Sequence, residues 1–283
     1  MADKIRFRQV LRLYALYTRM DLDLLLRDTR IALLAMAADT LSSVASISGV
    51  FLLAWRFDGV GGMTRWEVLF MLGYVTCVSG LFRLFFSANN GHLSRRFGRG
   101  QFDHMIVQPI PYAAQLITEG FDPFTGSQTL LCGAGIVIWA LSGMGRSPSL
   151  PWALCLAGSL CVSLAIVIGL SYAFSALAFW RPVAFEEIAT TVVDDLTGVL
   201  PNYPLSGMPP GFQLALVTVA PLGLLGWFPA CALLGKPPLG LSAIYPLAVA
   251  VLIWIIASLA LRKGFRHYGK TGSNRYTAGG HRR

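Results

Sequence analysis

The feature that most constrains this chain is a set of long stretches without a charged residue. Four of them cover positions 123–145, 147–180, 196–235 and 237–261, with 23, 34, 40 and 25 residues. A bilayer core is about 30 Å thick and is crossed by about 20 apolar residues in a helix. Only 13% of the 283 residues are charged, about half the share of a soluble domain. The chain is therefore predicted to be an all-α polytopic membrane protein whose helices satisfy their own backbone hydrogen bonds.

The polar segments between the apolar stretches predict the order of the elements. Residues 1–30 mix apolar and charged side chains at helical spacing, which is typical of a connecting helix lying in the cytoplasmic interface. Six spans are predicted at 31–55, 66–88, 123–142, 152–180, 183–203 and 241–261. A hydrophilic segment, 89–122, follows the second span, and a basic tail, 262–283, follows the last. The whole chain, 1–283, is predicted to form a single transmembrane domain.

The 40-residue run is too long for a single span, because as one helix it would be about 60 Å long, about twice the thickness of the bilayer core. It is interrupted by six prolines, each of which disfavours a continuous helix: Pro201, Pro204, Pro209, Pro210, Pro221 and Pro229. Residues 204–236 are therefore predicted to form an outer region that contains a re-entrant helical hairpin, 209–234. In the alternative arrangement, 183–200 lies on the cytoplasmic face and 212–234 spans. Both arrangements cross the membrane the same number of times, so charge counting does not separate them.

The net charge of +9 is explained by where the cations lie. Seven of the 23 Lys and Arg residues fall in the first 30 positions, seven lie from Arg262 onward, and Arg95, Arg96 and Arg99 share the hydrophilic segment. This is a positive-inside pattern with both termini in the cytoplasm. Arg83, near the end of the second span, is expected to reach toward the interface. Aromatic residues are not interleaved with the cations, which argues against a nucleic-acid surface.

Patterns for catalysis and cofactors are weak. Residues 264–271 fit the phosphate-binding pattern G-x-x-x-x-G-K-[ST], but a membrane helix precedes them where the mechanism needs a strand. ATP hydrolysis is therefore expected on another polypeptide. The histidines are dispersed, the five cysteines lie unpaired in apolar stretches, and Asp194 and Asp195 point about 100° apart on a helix. We expect no catalytic residues, no metal and no cofactor bound by this chain.

The acids are the more informative polar residues. Within 183–200 four acids and Thr191 recur at a spacing of three and four, which places them on one helical stripe: Glu186, Glu187, Thr191, Asp194 and Asp195. An Asp at the centre of a membrane helix costs about 2.5–3.5 kcal/mol, so the stripe faces either a polar pathway or, if the helix lies at the interface, water. Asp39, the acid in the first span, is either a pathway residue or a hydrogen-bonded structural acid.

Residues 92–116, HLSRRFGRGQFDHMIVQPIPYAAQL, carry the strongest resemblance to a known family. A basic turn with glycines, then Phe102-Asp103, then an apolar run ending in Pro109 and Pro111, resembles the cytoplasmic coupling segment of type-2 ABC exporter permeases, in the drug and daunorubicin-type subgroup. Tyr203-Pro204 and 227–230 (WFPA) are similar to motifs of that family's outer region, and 264–268 (GFRHY) is similar to its closing motif. The acidic loading at 186–195 is heavier than the family pattern.

The resemblance implies a half-transporter of a bacterial cytoplasmic membrane. Two ABC ATPase subunits, which bind ATP and Mg²⁺, would dock beneath a pair of permeases, the second being identical or a sister chain. The docking contacts implied for the coupling segment come from His92, Arg95, Arg96, Gly98, Arg99, Gly100, Phe102 and Asp103. The alternative for the arginines is that they only satisfy the positive-inside bias.

The acids of the apolar half indicate what would be exported. We expect an amphipathic, cationic drug or natural product, with Asp39, Glu187 and Asp195 facing the pathway. One alternative is the export of a lipid or lipid-linked glycan, and an alternative of another class is a membrane anchor or sensor subunit that transports nothing.

Overall fold

A computed structural model describes residues 7–27, 29–98, 123–181, 185, 191, 198, 200–236, 238–242 and 244–271. Within these ranges the chain is almost entirely helical. The α-helices are α1 (Phe7–Arg27), α2 (Thr29–Arg56), α3 (Arg65–Gly98), α4 (Pro123–Gly143), α5 (Leu150–Ala176), α6 (Pro210–Thr218), α7 (Trp227–Leu233) and α8 (Tyr245–Thr271). A short antiparallel hairpin of β1 (Gly59–Val60) and β2 (Met63–Thr64) joins α2 to α3. The prediction of an all-α polytopic membrane protein is confirmed at this level.

Five helices are long and apolar enough to cross a membrane. Their apolar segments are Met36–Arg56, Arg65–Phe86, Gly126–Gly143, Leu150–Phe179 and Tyr245–Lys270. Each coincides with one of the six predicted spans. The remaining predicted span, 183–203, lies mostly outside the described residues, where only isolated positions such as the helical Phe185 and Thr191 are described. The count of six therefore stays a prediction.

Two helices continue past the membrane boundary that the sequence predicts. The second span was expected to end near residue 88, but α3 runs on to Gly98, and α8 runs to Thr271 rather than ending at 261. The segments beyond those points are polar but contain no proline. A change from apolar to charged residues marks where a helix leaves the lipid, whereas a helix ends where its backbone hydrogen bonding is interrupted.

The most extensive contact in the fold joins α3 and α4, and glycines determine it. A Cβ added at Gly73 would lie 2.8 Å from the Val137 backbone nitrogen, and one at Gly133 would lie 2.6 Å from the Cys77 nitrogen. The same kind of clash recurs at Gly80, seven residues after Gly73 in α3, and at Gly126, seven residues before Gly133 in α4. The two antiparallel backbones therefore meet in a single register, with glycines a heptad apart on each helix permitting the close approach.

The central part of α3 forms the core. Its neighbours are α4, α5 and α7, and Phe70, Met71 and Tyr74 are fully buried among them. The lateral faces of α2 and α8 stay exposed and apolar: Leu34 and Leu41 are 71% and 72% exposed. Such faces suit lipid or another membrane helix, in agreement with the membrane assignment.

The 40-residue run does not form one continuous helix. It is divided into α6, α7 and short 3₁₀ turns at Leu200–Asn202, Leu205–Gly207 and Pro221–Leu224. Prolines stand at the breaks: Pro209 and Pro210 open α6, and Pro221 opens the turn that follows it. The predicted interruption of the run is confirmed, but Pro229 lies within the first turn of α7, where a proline is tolerated. This region packs inward through Leu224, Trp227 and other buried residues.

Candidate substrate-pathway and coupling sites

Asp39 pairs with Arg83, the residue that the sequence assigned only to the interface. The Asp39 Oδ1 atom lies 3.8 Å from the Arg83 Nη1 atom, and each side chain is 40% exposed. This distance is within ion-pair range but is too long for a hydrogen bond. The opposite charges of Asp39 and Arg83 therefore sum to zero, but the two side chains do not use their hydrogen-bond donors and acceptors on each other.

Gln128 of α4 binds the turn of α2 that contains Asp39, and we group it with Asp39, Thr40 and Arg83 as one polar cluster. Its Nε2 atom donates to the Met36 carbonyl at 2.9 Å and also to the Thr40 hydroxyl. The carbonyl can only accept, so the amide nitrogen must face it, which fixes the orientation of the amide. Its Oε1 atom is buried and has no hydrogen-bond partner among the described residues. The cluster, which we call the inner polar site, joins α2, α3 and α4.

Tryptophans at the opposite ends of the same helices give the depth of this site. Trp55, Trp66 and Trp139 lie together, with ring centroids 5.6–6.4 Å apart, as at a membrane interface. Asp39 stands sixteen residues before Trp55 and Arg83 seventeen after Trp66, which corresponds to about 25 Å along each helix. In a core of about 30 Å, this distance places the inner polar site toward the membrane side opposite the tryptophans.

One position of the predicted polar stripe lies among the described residues. Thr191 is helical and exposed. Glu186, Glu187, Asp194 and Asp195 lie outside the described residues. Whether they face Asp39 therefore stays a prediction.

The predicted coupling residues are divided in the same way. His92, Arg95, Arg96 and Gly98 belong to the last turns of α3. Arg99, Gly100, Phe102 and Asp103 lie outside the described residues. The 34 residues of α3 correspond to about 50 Å of continuous helix. One rigid element therefore connects the basic segment to the far side of the membrane.

Sequence reasoning missed an ion pair at the Trp-rich end. The Lys236 Nζ atom donates to Glu67 Oε1 at 2.7 Å, and the Thr64 backbone nitrogen donates to Glu67 Oε2 at 3.0 Å. The Glu67 side chain is only 9% exposed, whereas that of Lys236 is 60% exposed. The Thr64-x-x-Glu67 spacing is a capping-box signature, so the sequence held a signal for the helix start. It held none for Lys236, 169 positions away.

The end of α7 is fastened beside this pair. Arg146 Nη1 donates to the Leu234 carbonyl at 3.3 Å, and Trp152 Nε1 donates to the Leu233 carbonyl at 2.9 Å. The last carbonyls of a helix have no partner within it, so these side chains satisfy them. We call this set of contacts, with Glu67 and Lys236, the outer clasp.

A buried polar contact links the outer region to the core. The Tyr74 hydroxyl lies 2.9 Å from Ser163 Oγ, and Ser163 donates to the Leu224 carbonyl at 3.0 Å. Since Ser163 donates to the carbonyl, the tyrosine hydroxyl must donate to Ser163. Helices α3 and α5 are thereby connected to the 3₁₀ turn that precedes α7.

The phosphate-loop pattern is not a phosphate loop. Residues 264–271 are all helical within α8, and a Cβ at Gly264 would clash with the ring of Phe179. A loop that binds phosphate needs backbone amides outside a helix or at its N-terminus, and this segment is the C-terminal part of one. Among the residues that the structure describes, no group of three or more His, Cys, Asp or Glu could hold a metal ion.

Comparison with known proteins gives one match. The family model described as "ABC-2 family transporter protein" matches residues 41–272. No curated protein and no solved structure matches the chain.

Proposed function

The chain belongs to the ABC-2 family of transporter membrane proteins, since the match covers most of its length, and we propose that it is the permease of an ATP-driven exporter. The exported molecule is an amphipathic drug or natural product that carries a cationic group. ATP and Mg²⁺ are bound by a separate ABC ATPase. The observation that carries the proposal is the inner polar site: polar and charged side chains from three helices meet inside the membrane in a chain of this family.

The proposed architecture has six spans with both termini in the cytoplasm of a bacterium. Five apolar helices of sufficient length support it. In it, α1 lies in the cytoplasmic interface, residues 183–203 form the fifth span, and 204–236 form the outer region with a re-entrant hairpin. The division of that region into short helices between prolines supports the hairpin.

The proposed complex contains two ATPase subunits and a second permease, identical or a sister chain. Family membership implies an ABC ATPase partner. The apolar lateral faces of α2 and α8 offer surface for a second permease.

Purification of the full chain from its native membrane tests this complex. We expect a stoichiometric ABC ATPase to co-purify and its turnover to rise with the exported molecule. A stable permease without an ATPase would support the anchor or sensor alternative instead.

The pathway proposal assigns the acids to one surface. Asp39 is half-exposed inside the membrane, and the stripe of Glu186, Glu187, Thr191, Asp194 and Asp195 would line the same route. Neutralising Glu187→Gln and Asp195→Asn together should abolish protection of cells against cationic amphiphiles while leaving the complex intact.

A matched control for this change is Asp58→Asn, because Asp58 is an acid at the Trp-rich end with an 83% exposed side chain. It should leave resistance unchanged. Unchanged resistance in the Glu187/Asp195 variant would reject the cationic-substrate proposal.

The coupling proposal assigns Arg95, Arg96, Arg99 and Asp103, with their neighbours, to the ATPase cleft. A helix that continues to Gly98 supports it, because a push at that end displaces α3 as a unit. ATP-driven motion and the transport pathway would then exchange free energy through this contact.

Charge reversal distinguishes docking from a general positive-inside bias. Arg95→Glu with Arg96→Glu should uncouple ATP turnover from transport or release the ATPase. The matched control is Arg262→Glu with Lys263→Glu, which makes the same charge change on exposed positions of α8. Equal effects of the two double variants would contradict a specific docking role.

A further inference from the structure

We infer that the inner polar site selects substrates that carry an anionic group beside their cationic one, so that its ligand is a zwitterionic headgroup. This inference rests on the proposed export function and narrows its substrate class. The site consists of Asp39, Thr40, Arg83 and Gln128, as described above.

Ionised side chains are costly inside a membrane. Asp39 and Arg83 belong to membrane-spanning segments, yet each side chain is 40% exposed. Ionised side chains in this part of a membrane face a cavity or a polar partner rather than lipid. In the proposed transporter, the exposed portions of the pair therefore face the transport pathway rather than lipid.

The Asp39–Arg83 pair leaves hydrogen bonds unmade. A carboxylate accepts several hydrogen bonds and a guanidinium donates up to five. At 3.8 Å the two groups do not hydrogen-bond to each other. Each therefore keeps its capacity for a ligand, with Arg83 offering donors to an anion and Asp39 offering an acceptor to a cation.

Gln128 also leaves a hydrogen bond unmade. Its Oε1 atom lacks a donor among the described residues, and leaving a buried acceptor unsatisfied is unfavourable. Its amide nitrogen is held by Met36 and Thr40, so the amide lies against the helical turn that contains Asp39. This oxygen is therefore an acceptor without a donor beside the turn that carries Asp39, as expected next to a site that receives a donor group from a ligand.

The charge balance of the site decides between ligand classes. Asp39 and Arg83 sum to zero, so a purely cationic headgroup would gain from Asp39 but be repelled by Arg83, and an anionic headgroup would meet the reverse. A headgroup that carries both charges a few ångströms apart satisfies both groups at once.

Three single-chain amphiphiles of equal tail length separate these cases. Dodecylphosphocholine is zwitterionic, dodecyltrimethylammonium carries only the cationic part of that headgroup, and dodecyl phosphate carries only the anionic part. Each is added below its micellar concentration to the permease–ATPase complex in nanodiscs, and the concentration that gives half-maximal stimulation of ATP turnover is measured. For the wild type, the half-maximal concentration of the zwitterion should be at least about tenfold lower than that of either other amphiphile. This is the difference expected for one charge-assisted hydrogen bond.

Two variants should change the preference in opposite directions. Arg83→Gln removes the anion partner and should make the cationic amphiphile as effective as the zwitterion. Asp39→Asn removes the cation partner and should make the anionic amphiphile as effective as the zwitterion. A general loss of stability would weaken the stimulation by all three amphiphiles together. Shifts of preference in opposite directions for the two variants are therefore specific to ligand selection.

Two results would overturn the inference. One is a wild-type complex stimulated equally by all three amphiphiles or most strongly by the cationic one. The other is a pair of variants that keep the wild-type order of preference. In both cases the proposed export function survives, because ATP turnover still responds to substrate, whereas a chain that binds no ATPase would refute the function itself.

Discussion

Removal of the Lys236 ammonium should destabilise the outer clasp in a way that depends on Glu67. Lys236→Met keeps the aliphatic stem and leaves a carboxylate that is 9% exposed with the Thr64 amide, at 3.0 Å, as its remaining hydrogen-bond donor. Loss of one partner of a fully buried ion pair costs about 3–5 kcal/mol, whereas an exposed pair contributes about 0–1 kcal/mol. Because Lys236 is 60% exposed, we expect an intermediate cost of about 2 kcal/mol, the value for a hydrogen bond to a charged group.

The loss of stability should be smaller when the substitution leaves no buried, unpaired carboxylate. Glu67→Gln keeps a carbonyl oxygen that accepts from Thr64 and releases Lys236 to solvent, so we expect about 1 kcal/mol. The double variant contains no buried charge, and the coupling energy between the two sites should be about 1–2 kcal/mol. At about 2–3 °C per kcal/mol for a chain of this size, Lys236→Met lowers the Tm by about 5 °C.

The assay is thermal unfolding of the purified protein in nanodiscs, followed at one fixed scan rate because membrane proteins unfold irreversibly. The exposed ion pair between Asp58 and Arg65, 3.4 Å apart with Asp58 83% exposed, supplies the control. Asp58→Asn should move the Tm by less than about 2 °C. Strictly additive effects of Glu67→Gln and Lys236→Met would refute the reasoning, since the pair would then contribute nothing as a pair.

Two further predictions concern the interior. Gly133→Ala should lower stability by about 1–3 kcal/mol, because the new Cβ would lie 2.6 Å from the Cys77 nitrogen. As the control, Gly135→Ala, where nothing lies within 4 Å, should be neutral or stabilise by about 0.5–1 kcal/mol. The folded yield of each variant is measured by size-exclusion chromatography, and equal yields for the two variants would contradict the glycine register. Ser163→Ala leaves a buried hydroxyl and a buried carbonyl without their partner and should cost about 1–3 kcal/mol. Tyr74→Phe, which leaves the bond from Ser163 to Leu224 in place, should cost less in the same Tm measurement.

The sequence predicted the spans because membrane crossing depends on local composition. Twenty apolar residues satisfy the thickness of a bilayer whatever their neighbours are, and each of the five apolar helices occurs where a span was predicted. The interruption at Pro209, Pro210 and Pro221 was predictable for the same reason, since proline acts on its own turn. The ends of α3 and α8 were not, because hydropathy changes at the membrane surface while a helix continues into water.

The sites were less predictable because they depend on pairing between distant residues. Asp39 was singled out by its cost in a membrane, but its pairing with Arg83 depends on how α2 lies against α3. Gln128 carries no charge and sits in an uncharged run, so nothing local indicated that its amide would fix the turn containing Asp39. The outer clasp joins Glu67 to a lysine 169 positions away, and no local pattern encodes such a contact.

The architecture of α3 connects these sites mechanically. Its first turn holds Glu67 of the outer clasp, its middle holds the glycines locked to α4, and its later turns hold Arg83 and then the basic coupling residues. Because the α3–α4 register permits little sliding, a force on the Gly98 end of α3 moves both helices as one body. The opposite side of the inner polar site is α2, which is largely exposed and meets α3 less extensively. The Asp39–Arg83 distance is therefore the quantity we expect to change when the ATPase closes, which would alternately present and withdraw the two charges that a zwitterionic headgroup needs.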